Sequence, residues 1–120
     1  MMQKFLKSFG YAFSGLAYAF KTQFNFKFHI TAMFTIGIAG WCLNLAANEW
    51  RWLIAASGLV LIAELFNTAI EVLVDLVSPS YHEKAKAVKD VAAAAVLLAA
   101  VTAIAIGLLI FIPKLLHHVA

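Results

Sequence analysis

The sequence predicts an all-α membrane protein: a single-domain helical bundle, with an N-terminal amphipathic surface helix and three transmembrane helices. Hydrophobic residues make up 64% of the 120 positions, and the mean hydropathy is +0.91. Soluble domains are only roughly half apolar. The apolar runs are also long enough to cross a bilayer. The single Cys42 excludes an intrachain disulfide.

Residues 1–29 have the pattern of a surface helix followed by a lead-in segment. Apolar and polar residues recur at helical spacing on opposite faces, as expected of a helix lying in the membrane interface. The apolar face holds Phe5, Phe9, Ala12, Phe13, Leu16 and Phe20, and the polar face holds Lys7, Tyr11, Ser14, Tyr18 and Lys21. A signal peptide is disfavoured because the apolar region of a signal peptide is uniformly apolar, whereas this helix carries a regular polar face.

Three helices are predicted after this segment, at about 30–47, 52–77 and 83–112, and the membrane span of the third runs from Val91 to Ile112. Pro79 ends the second span because proline lacks an amide donor and the residue before it avoids the helical conformation. Ser80 and Glu83 match a capping box that opens the third helix. The apolar part of that helix is predicted to end at Pro113.

The distribution of lysine and arginine predicts the orientation in the membrane. Lysines concentrate in the N-terminal segment and in the second loop: Lys4, Lys7, Lys21, Lys27, Lys84, Lys86 and Lys89. The first loop has only Arg51 and the C-terminal tail only Lys114. By the positive-inside rule, the N-terminus and the second loop are cytoplasmic. The net charge of +3 forms no basic cluster, which argues against nucleic-acid binding.

The second span carries a polar stripe. Glu64, Asn67, Glu71 and Asp75 stand at i, i+3, i+7 and i+11, which is one face of a helix. Ionisable residues inside a membrane helix are costly and are functional candidates by default. Counted from Trp52 at about 1.5 Å per residue, Glu64 lies about 18 Å deep, Glu71 roughly 28 Å and Asp75 roughly 34 Å. Because the hydrocarbon core is about 30 Å thick, the stripe runs from the inner leaflet to the cytoplasmic surface.

This geometry suits the transfer of an anionic group from a soluble donor to a lipid. Surface carboxylates can hold Mg²⁺, a lysine can neutralise a phosphoryl oxygen, and a buried carboxylate can act as a general base. Structural roles stay open: Glu71 and Asp75 in interfacial ion pairs, Asn67 in helix–helix contact, and Glu64 in packing. The chain has no P-loop and no glycine-rich kinase loop, so a nucleotide site would be of another kind.

Four segments resemble the prokaryotic diacylglycerol kinase family, small three-span lipid kinases that include undecaprenol kinases. They are G-Y-A-F-S-G-L at 10–16, E-L-F-N-T-A-I-E-V-L-V-D at 64–75, S-Y-H at 80–82 and A-V-K-D at 87–90. The resemblance implies a homotrimer in the bacterial inner membrane that uses ATP and Mg²⁺ at sites shared between subunits. The implied reaction moves the γ-phosphate to a lipid hydroxyl, converting diacylglycerol to phosphatidic acid, or phosphorylating undecaprenol in the alternative.

The resemblance also implies a role for individual residues. Glu64 matches the catalytic base and Glu71 a Mg²⁺ ligand, while Asn67 and Asp75 match residues that arrange the site around the phosphates. The nucleotide-site positions that match are Lys4, Tyr11, Tyr81, His82, Lys89 and Asp90, with Lys89 on the phosphates.

Two positions depart from the family pattern. Gln23 stands where the family commonly has a second metal-binding glutamate, and a neutral carboxamide should hold Mg²⁺ more weakly. A subfamily variant that coordinates through Glu71 and water is favoured over a degraded enzyme. Ala93 stands where some members have a serine near the lipid, which puts that contact in doubt.

Two other classes of protein fit part of the pattern. A small proton-coupled exporter would usually have four spans and a lone carboxylate near mid-membrane, whereas this stripe runs out to the cytoplasmic face. A non-catalytic membrane subunit would use the stripe for assembly. The terminal His117 and His118 are expected to be inert rather than metal-binding.

Overall fold

The computed structural model describes residues 1–119, and every regular element in that range is helical. The helices are α1 (Met2–Thr22), α2 (Phe24–Cys42), α3 (Ala47–Val77) and α4 (Glu83–Val119). Helix α4 packs along α3, α2 packs on α3, and α1 touches both α2 and α3. The predicted all-α class is confirmed.

Two helices, α3 and α4, are long and apolar enough to cross a membrane. They expose large hydrophobic side chains in the single chain, such as Leu76 and Leu109, which suits contact with lipid or with another subunit. Helix α2 is not one of the two, because Asn25, Lys27 and His29 interrupt its apolar sequence. A third span and a trimer therefore stay predictions.

Helix α1 is separated from α2 by a single extended residue, Gln23, with φ −112° and ψ 110°. The lead-in segment therefore forms the first turns of α2 and does not run as an extended connection. Two nearly inaccessible side chains explain this, because Ala19 of α1 is 1% exposed and Phe26 of α2 is 2% exposed. A helix that starts at Phe24 can bury Phe26 while Phe24 and Phe28 stay exposed.

The first span was predicted to run to Ala47, but α2 ends at Cys42. Asn44 has a left-handed backbone (φ 53°), which asparagine tolerates better than most residues. Its N–H donates to the Trp41 carbonyl, and the Leu45 N–H donates to the Gly40 carbonyl. These two bonds make a Schellman cap, with Leu45 packed over Gly40.

The connection between α2 and α3 covers residues 43–46 and not the predicted 48–51, and Glu49 and Lys114 stabilise it there. The Ala46 N–H donates to Glu49 Oε1 at 3.0 Å, so α3 starts at Ala47 and not near Trp52. Lys114 Nζ lies 3.1 Å from the same oxygen. Lys114 reaches it because α4 continues through Pro113 to Val119, contrary to the predicted end at Ile112. The buried Ile110 packs in one cluster with Leu45 and Leu53 and holds this end of α4 in place, although proline donates no helical hydrogen bond.

The turn between α3 and α4 follows Val77 as predicted, but its cap differs. The predicted capping box between Ser80 and Glu83 does not form. Instead, His82 accepts a hydrogen bond at Nδ1 from the Lys84 N–H (3.1 Å), and its carbonyl accepts one from the Lys86 N–H. Because α4 starts at Glu83, His82 and not Ser80 occupies the N-cap position.

Candidate active site

The polar stripe of α3 passes from the interior to the surface. Glu64 is 1% exposed and Asn67 is 8% exposed, whereas Glu71 is half-buried and Asp75 is exposed. Thr68 is also buried, and its hydroxyl donates to the Glu64 carbonyl at 2.8 Å, so it needs no other partner. Exposure therefore increases along α3 from Glu64 to Asp75.

Glu64 faces His29 of α2, a residue that the sequence reasoning missed. His29 Nε2 lies 3.4 Å from Glu64 Oε1, and the two side chains are 20% and 2% exposed. The sequence signal was available, because His29 is a titratable residue in the apolar part of α2. It was missed because only basic residues in the helix of Glu64 were considered.

Asn67 and Glu71 form the next level of the stripe. The Asn67 side-chain amide donates to Glu71 Oε1 at 3.2 Å, one turn along α3. Asn67 Oδ1 and Glu64 Oε1 are both buried and accept no hydrogen bond. Buried oxygens are normally satisfied, so these two unpaired acceptors mark where a bound donor or cation would gain most.

Two ion pairs lie at the exposed end of the stripe. Lys89 Nζ of α4 is 2.5 Å from Asp75 Oδ1 of α3, which ties the two helices together. Lys86 Nζ is 2.6 Å from Asp90 Oδ2 within α4. Both pairs are largely exposed, so their contribution to stability is small. Their effect is to collect charge at one end of the bundle.

The other predicted site residues make no polar contact with this stripe within the described part of the single chain. Lys4 and Tyr11 are exposed on α1, Tyr81 is exposed in the second turn, and His82 caps α4. The Gln23 amide donates only to Thr22, at 3.3 Å. Across residues 1–119, no side-chain hydrogen bond or ion pair joins any of these five to Glu64, Asn67, Glu71 or Asp75.

An apolar cleft of about 450 Å³ opens between α2, α3 and α4. His29 is on its wall, so the cleft reaches the residue that faces Glu64. Most of the remaining wall is aliphatic or aromatic, including Met33, Val60 and Phe111. The cleft therefore combines an apolar lining with a buried carboxylate close to its wall.

The oxygens of this stripe fit a hard cation better than a thiolate- or imidazole-binding one. Residues 1–119 contain no cluster of three or more His, Cys, Asp or Glu side chains, as an all-protein metal cage would need. Mg²⁺ does not need one, since it keeps waters and binds through one or two carboxylates plus phosphates. Glu71 and the unpaired Asn67 Oδ1 supply such oxygens on adjacent turns.

Comparison with known proteins gives a consistent result. The profile described as prokaryotic diacylglycerol kinase matches residues 10–111. An undecaprenol kinase of Bacillus subtilis is 43% identical over 114 residues, which cover 95% of this chain and 93% of that protein. A diacylglycerol kinase of Synechocystis is 48% identical over 112 residues, covering 92% of this chain but 64% of the longer relative. A diacylglycerol kinase of Escherichia coli is 34% identical over 102 residues, covering 84% and 83% of the two chains.

Proposed function

The chain belongs to the prokaryotic diacylglycerol kinase family, and from that premise we propose that it is an ATP-dependent membrane lipid kinase. The observation that carries the proposal is the stripe on α3. A buried carboxylate, Glu64, stands at one end, and a charged pair, Asp75 and Lys89, stands at the other. In such a site, a lipid hydroxyl binds near the buried end of the stripe and a soluble nucleotide binds near its charged end.

In this mechanism Glu64 is the general base. Its carboxylate accepts the proton of the lipid hydroxyl as the hydroxyl oxygen forms a bond to the γ-phosphorus. The bond from that phosphorus to the β–γ bridging oxygen breaks, and ADP leaves with the bridging oxygen. The proton then resides on Glu64 until water at the interface takes it.

The negative charge of the ATP phosphates is neutralised at the exposed end of the stripe. Lys89 contacts the ATP phosphates, and Asp75 holds its ammonium group in place. Glu71 and Asn67 would hold Mg²⁺, with the side-chain oxygen of Gln23 as a weaker third ligand. When bound, this ion neutralises charge on the transferred phosphoryl group. Asp90, Tyr81, His82, Tyr11 and Lys4 complete the nucleotide site in the proposal.

The acceptor we propose is diacylglycerol, giving phosphatidic acid, because relatives from several organisms bear the name diacylglycerol kinase. Undecaprenol is the second candidate. One observation favours it: the undecaprenol kinase of Bacillus subtilis matches this chain over nearly the full length of both. Both lipids offer a primary hydroxyl, which is what Glu64 would act on.

The setting we propose is a homotrimer in the bacterial inner membrane, with three spans and with the N-terminus and second loop cytoplasmic. The lysines of α1 and of the first turns of α4 support this orientation. The exposed hydrophobic side chains of α3 and α4 support burial against lipid and neighbouring subunits.

Purified protein incubated with γ-labelled ATP and a panel of lipids tests the function and its acceptor together. The panel compares three alcohols at equal mole fraction in mixed micelles: diacylglycerol, undecaprenol and a simple long-chain alkanol. We expect label in phosphatidic acid, with a higher kcat/KM for diacylglycerol than for undecaprenol. The opposite order would assign the enzyme as an undecaprenol kinase, and no labelled lipid of any kind would refute the kinase proposal.

A further inference from the structure

We propose that His29 is a positioning residue for Glu64, acting across the contact between α2 and α3. The inference rests on the proposed function, since it concerns how the general base is held. Neither residue is a neighbour of the other in sequence, so the pairing exists only in the folded chain.

The contact joins two helices at a largely buried point. Nε2 of His29 is 3.4 Å from Oε1 of Glu64, and the Glu64 side chain is only 2% exposed. Across the described part of the chain, His29 is the one basic side chain within 4.0 Å of this carboxylate. A buried carboxylate without a partner is strongly unfavourable, so this approach is the main compensation that Glu64 has within one chain.

The same contact sets where the carboxylate points. A glutamate side chain has several rotatable bonds, and a fixed N–H donor on one side selects among its conformations. The edge-to-face packing of His29 on Phe28, with ring centres 5.6 Å apart, limits the freedom of the imidazole ring.

The distance of 3.4 Å is longer than a good hydrogen bond, and Glu64 Oε1 has no hydrogen bond in the free protein. Catalytic contacts of this kind commonly tighten when substrate binds. His29 also lines the apolar cleft. An acceptor lipid in the cleft would bring its hydroxyl to the carboxylate that His29 orients, while the imidazole itself takes no proton from the lipid.

Two substitutions separate positioning from packing. His29→Gln keeps an N–H donor near the place of Nε2, whereas His29→Leu keeps similar bulk and removes every donor. We expect His29→Leu to lower kcat at least tenfold with an unchanged KM for ATP, and His29→Gln to stay within about threefold of wild type. Equal kcat in both variants, whether high or low, would overturn the proposal.

A double-mutant cycle tests whether His29 acts through Glu64. Glu64→Asp withdraws the carboxylate by one methylene and already weakens the contact. His29→Leu should therefore cost much less in the Glu64→Asp protein than in wild type. If His29→Leu lowers kcat by the same factor in the Glu64→Asp protein as in wild type, the proposal is overturned.

A spectroscopic readout works even if the enzyme shows no activity. In protein labelled with ¹⁵N-histidine, Glu64→Gln should shift the imidazole ¹⁵N resonances of one of the four histidines, His29, and leave those of His82, His117 and His118 unchanged. If no histidine resonance moves, the contact is absent and the inference fails. If the resonance moves but wild type phosphorylates no lipid, the contact stands and the proposed function fails instead.

Discussion

At the scale of single residues, the stripe on α3 divides the proposed chemistry by depth. Glu64 is buried, and further along α3 Asn67 donates a hydrogen bond to Glu71. At the surface, Asp75 pairs with Lys89. The sequence predicted this order because α-helical spacing fixes which side chains share a face. It missed His29, since pairing between α2 and α3 depends on how two helices pack and not on spacing within either one.

Gln23 gives the first prediction at this scale. Gln23→Glu adds an anionic oxygen ligand at the end of α1, so the Mg²⁺ concentration for half-maximal activity should fall several-fold. Titration of activity against Mg²⁺ at fixed ATP measures it. Gln3→Glu, which adds the same charge at the exposed start of α1, is the matched control and should have no effect. An unchanged or raised Mg²⁺ requirement would show that position 23 holds no metal.

At the same scale, Lys89 provides a prediction about the nucleotide. Lys89→Met removes the cation that Asp75 holds, so the KM for ATP should rise tenfold or more, while the KM for the lipid changes little. Steady-state kinetics with each substrate varied in turn separates the two constants. Lys84→Met is the control, because the Lys84 side chain forms no ion pair within residues 1–119. A matching rise in the lipid KM would argue for a general loss of structure.

At the scale of elements, helix positions were predictable, as were the end of α3 at Val77 and the start of α4 at Glu83, whereas the other helix ends were not. Apolar runs identified α3 and α4, because burial and membrane length both require them. Of these other ends, the C-terminal end of α4 makes a contact distant in sequence and the end of α2 depends on a local cap. Lys114 reaches Glu49 only because α4 continues past Pro113, and the Schellman cap at Asn44 works because Leu45 packs over Gly40. Asn44 was the signal that a sequence reader could have used.

The cap predicts the response of two glycines in the same helix. A Cβ added at Gly40 would lie 2.8 Å from Leu45 Cδ1 and 3.1 Å from the Trp50 ring, whereas one at Gly37 would meet nothing within 4 Å. Gly40→Ala should therefore destabilise the fold by about 1–3 kcal/mol, since tight sites resist overpacking. Gly37→Ala should be neutral or stabilising by about 0.5–1 kcal/mol, since alanine favours helix. Reversible unfolding in detergent measures both, and equal effects would contradict the packing described for this turn.

At the scale of the whole molecule, the proposed membrane orientation follows from the distribution of lysines. Labelling of the native thiol of Cys42 tests it. Cys42 is the only cysteine in the sequence, is exposed, and ends α2 on the side away from the lysine-rich start of α4. A membrane-impermeant maleimide should label it in right-side-out vesicles. In a Cys42→Ser protein, Ser80→Cys should be labelled only after the vesicles are opened. The reverse pattern would place the N-terminus outside.

The central claim is that Glu64 is the base of a phosphoryl transfer and not an assembly residue. The most direct measurement compares wild type with Glu64→Gln for transfer of label from γ-labelled ATP to lipid, alongside ATP affinity and particle size. Glutamine keeps the shape and removes the basicity, so transfer should fall by about 10²–10⁴-fold. ATP affinity and oligomeric size should stay as in wild type. Transfer within a few-fold of wild type, or its loss together with the oligomer, would contradict the account.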